Sequence, residues 1–290
     1  MKKPLIAVSG RNGQLGSELN DLAASFNSFD FVFAGRDELD LSDLSSIESF
    51  FKKYQPDYFI NCAAYTAVDK AEQDQENAYR INAEAVGKIA HLCRQNHAVL
   101  IHISTDYVFN GNNDHPYQPE DETEPVNYYG YTKWLGERLA LENCDNTIII
   151  RTSWVYSSYG NNFVKTMLRL MKDRTDLNVV SDQLGSPTYA KDLAEAILQI
   201  ILQIHQTDKI ESGIYHFSNE GIISWYEFAT AIRNNAALQC NVHPIKTEQY
   251  PTPAKRPAYS VMSKEKITSV YNIQIKDWES SLHECLRQLL

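Results

Sequence analysis

Short apolar runs alternate with segments of helical spacing through the first half of the chain. Leu5–Val8, Phe31–Ala34, Tyr58–Cys62, Val99–Ser104 and Thr147–Arg151 are each bounded by polar or turn residues, the pattern of buried strands. Between them, Gln14–Phe26, Ser45–Tyr54, Asn77–Asn96 and Trp134–Asn143 carry apolar residues at helical spacing. Strand and helix in strict alternation predict an α/β fold: a doubly wound parallel sheet covered on both faces. Ligands in such folds bind outside the C-terminal ends of the strands, so residues just past each strand are the candidates for chemistry.

Beyond Trp154 the alternation loosens. Asn162–Lys172, Tyr189–His205 and Trp225–Asn234 keep helical spacing, Gly213–Phe217 reads as a strand, and Pro244, Pro251, Pro253 and Pro257 crowd the tail. This predicts a first domain over residues 1–152, rejoined by about 189–216, and a smaller C-terminal lobe built from 153–188 and 217–290. No linker or repeat separates them.

Composition narrows the function. A formal net charge of −10 over 290 residues gives no basic face for nucleic acid or an anionic membrane. No apolar stretch approaches the ~18 residues of a membrane span. Lys2 and Lys3 precede an apolar run, but that run breaks within a few residues at Gly10-Arg11-Asn12-Gly13 and lacks a cleavage site, so it reads as a buried strand of a cytoplasmic protein. Five dispersed cysteines without Cys-x-x-Cys spacing fit reduced thiols, and eight histidines in no ligand pattern make no metal site.

Two segments carry chemistry. The first strand runs into Gly10-Arg11-Asn12-Gly13-Gln14-Leu15-Gly16. Glycines at a strand-to-helix junction permit a tight turn and let backbone N–H groups approach a pyrophosphate, which the helix N-terminus then faces with its positive dipole end. A glycine-rich turn without a ligand is the plainer alternative. After the second strand, Gly35-Arg36 stands where an acidic residue would accept from an adenosine 2′-hydroxyl. An arginine there suits a 2′-phosphate, hence NADPH, although Asp37, Glu38 and Asp40 leave NADH open.

The second segment is Tyr128-Tyr129-Gly130-Tyr131-Thr132-Lys133. Only Tyr129 lies four residues before Lys133, which on a helix puts both on one face. A phenol ionises near ~10 and a neighbouring ammonium lowers that value, so Tyr129 is expected to protonate a carbonyl oxygen as a hydride reaches its carbon. The upstream strand ends Ser104-Thr105, whose hydroxyls are placed to bond the same oxygen.

In this combination the chain resembles the extended short-chain dehydrogenase/reductases that act on nucleotide sugars, a Rossmann-like family with a C-terminal substrate-binding lobe. The resemblance rests on the Gly-x-x-Gly-x-x-Gly spacing, on Asn61-Cys62-Ala63-Ala64-Tyr65-Thr66-Ala67-Val68-Asp69 and on Ser104-Thr105-Asp106-Tyr107-Val108-Phe109. It extends through Arg151-Thr152-Ser153-Trp154-Val155-Tyr156, Asp182-Gln183 with Gly185 and Pro187-Thr188, and Arg256-Pro257 with Ser260. It implies reduction of the 4-keto group of dTDP-4-dehydro-L-rhamnose by NADPH or NADH. Thr105, Tyr129 and Lys133 are then catalytic, with Lys133 holding the nicotinamide ribose. Gly10, Gly13, Gln14 and Leu15 cradle the pyrophosphate, Asn12 and Gly16 belong to the same cofactor-binding turn with Gly16 allowing close packing of its helix on the sheet, and Asp40 and Leu41 flank the adenine. Ala63, Ala64, Tyr65 and Thr66 line the cofactor, Asp106 and Trp154 meet the sugar nucleotide, and Asn82 braces the site. A surface asparagine and a core tryptophan are the plainer readings of Asn82 and Trp154.

Some bacterial members of the family are Mg²⁺-bridged dimers. Glu18 matches one of their carboxylates, but Lys191-Asp192 stand where a glutamate is needed, so the expectation is no metal and a monomer or weak homodimer. Two other functions share the pattern. One is a nucleotide-sugar epimerase or dehydratase. The other is a non-catalytic NADP-binding subunit, since the regulatory β-subunit of methionine adenosyltransferase resembles this family. Dehydratases carry Thr-Asp-Glu where this chain has Thr105-Asp106-Tyr107, which favours the reductase.

Overall fold

A computed structural model describes residues 3–290. Met1 and Lys2, with which the first predicted domain begins, lie outside the described residues. Six strands form one parallel sheet: β1 (Leu5–Ser9), β2 (Asp30–Ala34), β3 (Tyr58–Asn61), β4 (Val99–Thr105), β5 (Thr147–Thr152) and β6 (Gly213–His216). Their order is β6-β5-β4-β3-β1-β2. The chain leaves β1 toward one edge and returns at β3 on the other side, so the loops past β1 and β3 diverge and open a crevice.

Both faces of the sheet are covered, which is why its strands read as unbroken apolar runs. On one face Ile6, Val8, Ile60, Ile101 and Ile150 pack against α1 (Gln14–Ala23) and the helix Ala190–Thr207, through Leu19, Leu193 and Ile197. On the other, Ala7, Phe59, Leu100 and Ile149 meet α2 (Leu44–Tyr54), α3 (Ala85–Gln95) and α4 (Tyr128–Asn143), through Ile47, Phe51, Ile89 and Ala140. Alternate residues of each strand serve alternate faces. Each large side chain buried in this way stabilises the fold by about 1.5–3 kcal/mol.

Two local departures from the expected elements shape the site. The predicted helix Asn77–Asn96 is split: a turn at Gln75–Tyr79, a π-helical turn at Arg80–Glu84, then α3. The widened turn is a feature that concentrates at functional sites, and here it buries Asn82. Helix α4 begins six residues before the predicted Trp134, at Tyr128, capped by Asn127 Oδ1, which accepts from Gly130 N at 2.8 Å. Its buried face is Tyr129, Gly130, Thr132, Lys133, Gly136 and Glu137, polar or small throughout, and apolar spacing cannot reveal such a face. Gly130 is required there because a Cβ would lie 2.2 Å from the Tyr107 carbonyl oxygen.

The C-terminal part adds three two-stranded ladders and a separate apolar cluster. Asp176–Val180 pairs with Asn241–Ile245, Val155–Tyr156 with Thr188–Tyr189, and Leu184–Gly185 with Ile223–Ser224. Tyr156, Val164, Met167, Phe228, Ile232 and Leu282 build the cluster. The helix Trp225–Asn235 starts in a capping box of Ser224 and Glu227, and the C-terminal helix Trp278–Leu289 closes the lobe.

Candidate active site

The loops past β1–β5 and the N-terminal half of α4 enclose a cleft of about 860 Å³. Gly10, Asn12, Gly13, Gln14 and Leu15 line it from the first loop, Arg36, Asp40 and Leu41 from the second, and Ala63, Ala64 and Thr66 from the third. Thr105 and Asp106 follow β4, Tyr129 and Lys133 project from α4, and Trp154 follows β5. Two predicted residues are not on the wall. Gly16 lies behind it: a Cβ there would fall 2.2 Å from Gly10 O, so this glycine sets the packing of α1 on the turn. Tyr65 is turned aside, its hydroxyl donating to Asp74 Oδ2 at 3.0 Å.

The first turn is tight. Gly10 has φ of 75°, and Gly13 N donates to Gly10 O at 2.9 Å. Gln14 also bridges to the second lobe, accepting from Asn162 Nδ2 at 2.9 Å. At the adenosine end the Arg36 side chain is 77% exposed and pairs with Asp40 at 3.4 Å. A second arginine lies near it: Arg11 Nη1 pairs with Glu38 at 3.0 Å, while Glu38 accepts from Gly35 N at 2.9 Å. That bond and the Arg11 charge hold the Glu38 carboxyl below its ordinary range.

The chemical end is buried. Tyr129 is 9% exposed, the only one of the three tyrosines at the start of α4 that is buried, and its ring meets Tyr107 edge-on at 5.7 Å. Lys133 Nζ donates to Ile103 O at 2.7 Å and lies 3.4 Å from His102 Nε2. Burial pulls the Lys133 ammonium down to about 8, against the charge of Glu137. The expected lowering of the phenol by this lysine is absent. Burial pushes Tyr129 upward, Asp106 adds to it, and only the Thr105 hydroxyl opposes. Tyr129 therefore stands protonated, the form a proton donor needs.

Thr105 Oγ1 donates to Asp106 Oδ1 at 2.9 Å and accepts from Tyr107 N at 3.2 Å, starting the helical turn Asp106–Val108. Asp106 is raised to about 6 by burial, and its Oδ2 has no partner; neither has Ser104 Oγ on the same wall. Asn82 braces the region: its Oδ1 accepts from Tyr65 N at 2.8 Å, and its Nδ2 donates to Tyr65 O and to Thr132 Oγ1. It is thus no surface asparagine.

Trp154 is both wall and core. It holds a left-handed backbone, φ 49°, which a bulky residue adopts only when its surroundings enforce it. The indole stacks on Trp225 at 3.6 Å and 12°. Glu18 is buried and accepts from Ser157 Oγ at 2.5 Å. Lys191 pairs with Glu284, and Asp192 accepts from Asn219, Ser281 and Lys276. Among the described residues no group of three or more His, Cys, Asp or Glu side chains is placed to hold a metal.

Several residues of the site carried no signal in the sequence. Arg11 is hidden inside the glycine motif, Trp225 belongs to a helix far along the chain, and Ser153 lines the cleft beside Trp154.

A glycine turn at the switch point of a parallel sheet, facing a buried Tyr-x-x-x-Lys pair, defines the extended short-chain dehydrogenase/reductase class. Residues 3–290 match the RmlD substrate binding domain family, and the chain belongs to it. It is 40% identical over 283 residues to the dTDP-4-dehydrorhamnose reductase of Aggregatibacter actinomycetemcomitans, spanning 96% of each chain. It is 41% identical over 284 residues to the spore coat polysaccharide biosynthesis protein SpsK of Bacillus subtilis (strain 168), spanning 98% of this chain and 97% of that one. The crystal structure of dTDP-4-dehydrorhamnose reductase from Bacillus anthracis str. Ames in complex with NADP superposes with a TM-score of 0.93 at 37% identity, covering 99% of this chain and 100% of that one.

Proposed function

We propose that this chain reduces the 4-keto group of dTDP-4-dehydro-L-rhamnose to give dTDP-L-rhamnose, with NADPH as reductant. The observation that carries the reading is the gathering of Thr105, Tyr129 and Lys133 on one buried wall of the cleft whose far end is the glycine turn. The relatives that match over the full length and are named as this reductase support the substrate.

The cleft fits the cofactor on its own residues. A Cβ on Gly10 would stand 3.0 Å from Ala63 N, so the turn and the third loop approach closely only because that position is bare. Gly13, Gln14 and Leu15 then present the start of α1 to a pyrophosphate, and Arg36 on the cleft wall, with Arg11 paired to Glu38 nearby, suits a 2′-phosphate. When bound, the reduced nicotinamide supplies the hydride. Lys133 holds the ribose beside Tyr129. Tyr129 gives its proton to the substrate's C4 oxygen, and Thr105 turns from Asp106 to bond the same atom, which stabilises the charge developing there. Asp106 Oδ2 and Ser104 Oγ offer unpartnered polar atoms to the sugar. Tyr107 is pushed upward by burial and by Asp106, so it stays protonated and offers no base for removing a carbon-bound proton, as dehydration would need.

Residues 1–152 with 189–216 are read as the dinucleotide-binding domain, since β6 completes the central sheet; 153–188 and 217–290 are read as the substrate lobe, supported by the third apolar cluster. We read the chain as a cytoplasmic monomer or weak homodimer; five free cysteines fit a reducing compartment. The test mixes purified chain, NADPH and dTDP-4-dehydro-L-rhamnose. One NADPH consumed per sugar, with a product two hydrogens heavier, is the expected outcome. Loss of water, or isomerisation without net oxidation of NADPH, removes the reading.

A further inference from the structure

Three polar side chains buried behind the cleft form a single row. Ser9, Asn61 and His102 are register partners on β1, β3 and β4, each at most 1% exposed. Ser9 Oγ donates to Asn61 Oδ1 at 2.7 Å and accepts from Ala63 N at 3.2 Å. Asn61 Nδ2 meets His102 Nδ1 at 3.2 Å, and His102 Nε2 faces Lys133 Nζ at 3.4 Å. The row therefore runs from the backbone of the third cofactor loop to the lysine of α4. An apolar sheet face would have sufficed for folding, since the neighbouring positions Ala7, Phe59 and Leu100 are packed that way.

The chemistry of the three groups gives the row two senses. With Asn61 as placed, its amide donates to Nδ1, so the neutral ring carries its proton on Nε2 and points a donor at Lys133. That sense suits an uncharged amine, which has a lone pair to receive it. If the amide turns over, the three side-chain bonds along the row reverse, while Ala63 N continues to donate to Ser9 Oγ. Asn61 Nδ2 then donates to Ser9 Oγ, Oδ1 accepts from Nδ1–H, and the bare Nε2 accepts from a Lys133 ammonium. His102 itself stays neutral: burial holds it well below its ordinary range, and the Lys133 charge adds to this.

We propose that the Ser9–Asn61–His102 row is a reversible hydrogen-bond wire whose sense follows the charge on Lys133, and that His102 is the positioning residue of this lysine. The proposal rests on the reductase reading above for its kinetic consequence, though not for its hydrogen bonding. In the charged state His102 and the Ile103 carbonyl are two acceptors for an ammonium that α4 buries. The other titratable groups facing Lys133 are Tyr129 and Glu137 on α4, Arg151 on β5 through its pair with Glu137, and Cys62 past β3. None of these is within hydrogen-bonding distance of Nζ, so the row is what the ammonium loses when His102 is replaced.

The experiment has two arms. In the first, ¹⁵N spectra of the full chain are followed with pH, the His102 signals being those lost in His102→Gln. The expected result is a neutral ring protonated at Nδ1 while Lys133 is charged, switching to Nε2 as Lys133 titrates. A ring protonated at Nε2 throughout overturns the proposal, whatever the enzyme turns over. In the second, His102→Leu removes the acceptor and His102→Gln restores one through its amide oxygen. The alkaline fall of kcat is expected about one pH unit lower in His102→Leu, with kcat about threefold down midway between the two limbs and approaching tenfold down above both, and KM for NADPH changed by less than about threefold. His102→Gln returns the limb toward that of the parent enzyme. An unmoved limb in His102→Leu overturns the positioning role. Absence of any keto-sugar turnover in the parent enzyme would sink the reductase reading and leave the spectroscopic arm to decide the wire.

Discussion

The two ends of the cleft are built on opposite principles. At the chemical end Thr105, Asp106, Tyr129 and Lys133 are each less than a tenth exposed, and burial sets the protonation of the last three. At the adenosine end the Arg36 side chain is 77% exposed and that of Arg11 is 40% exposed, each held by one carboxylate at the surface. In a buried site each hydrogen bond is strong and each missing partner is costly. At the surface, water and salt screen the same contacts. Substitutions at the first end should therefore act on the chemical step, and those at the second on affinity for one form of the cofactor.

The sharpest way to break this contrast is Tyr129→Phe. Removing the only buried tyrosine in register with Lys133 should lower kcat by about 10²–10⁴-fold, the usual contribution of general acid catalysis. Cofactor affinity, measured by fluorescence titration, should barely change. A loss of less than about tenfold would mean that another group supplies the proton.

The next effect is on pH dependence. Lys133 must be an ammonium to hold the ribose, and it loses its proton as pH rises through about 8. Asp106 must be a carboxylate to accept from Thr105 or from the sugar, and it gains a proton as pH falls through about 6. Activity should thus be greatest between these values and fall about tenfold per unit beyond each limb. Asp106→Asn should remove the acid limb and leave the alkaline one. An acid limb that persists in this variant would assign it elsewhere.

The same contrast explains what could be read from the sequence. All five strands read in the first half occur within a residue or two at their ends, because their side chains are apolar on both faces. Most of the predicted site residues up to Trp154 line the cleft; those of the loops sit just past a strand, whereas Tyr129 and Lys133 showed only as a four-residue spacing on α4. The start of α4 was hidden because its buried face is polar: Tyr129, Thr132, Lys133 and Glu137 point inward where apolar residues would mark a helix. The π-helical turn that buries Asn82 interrupts a spacing that otherwise looks continuous. In the lobe, the strands Asp176–Val180 and Asn241–Ile245 are short and paired across a long separation, and Pro244 within the second argues against a strand unless it lies at an edge. The helix Trp278–Leu289 is likewise set by tertiary packing, with Leu282 and Cys285 buried against a lobe that the local sequence does not announce. The partners of Trp154 and Arg11 are long-range pairs, and single-sequence patterning has no access to them.

The smallest expected effect tests the exposed end. Arg36 pairs with Asp40 at 3.4 Å and is free to swing to a 2′-phosphate, whereas Arg11 is tied to Glu38, which also holds Gly35. A contact so exposed contributes little, so Arg36→Ala should weaken NADPH by about two- to fivefold and leave NADH unchanged. Arg11→Ala removes the second guanidinium and frees Glu38, whose carboxylate would then repel a 2′-phosphate and accept from a 2′-hydroxyl. The double variant should therefore lose its preference for NADPH altogether. Direct titrations with both cofactors at low and high salt separate the contributions, because the NADPH advantage of the parent enzyme should shrink as ionic strength rises. Equal weakening of both cofactors by Arg36→Ala would make this arginine a bystander. A preference lost entirely in Arg11→Ala would place the 2′-phosphate inside the turn rather than at its lip, and the adenosine end would then be less open than its surface arginine suggests.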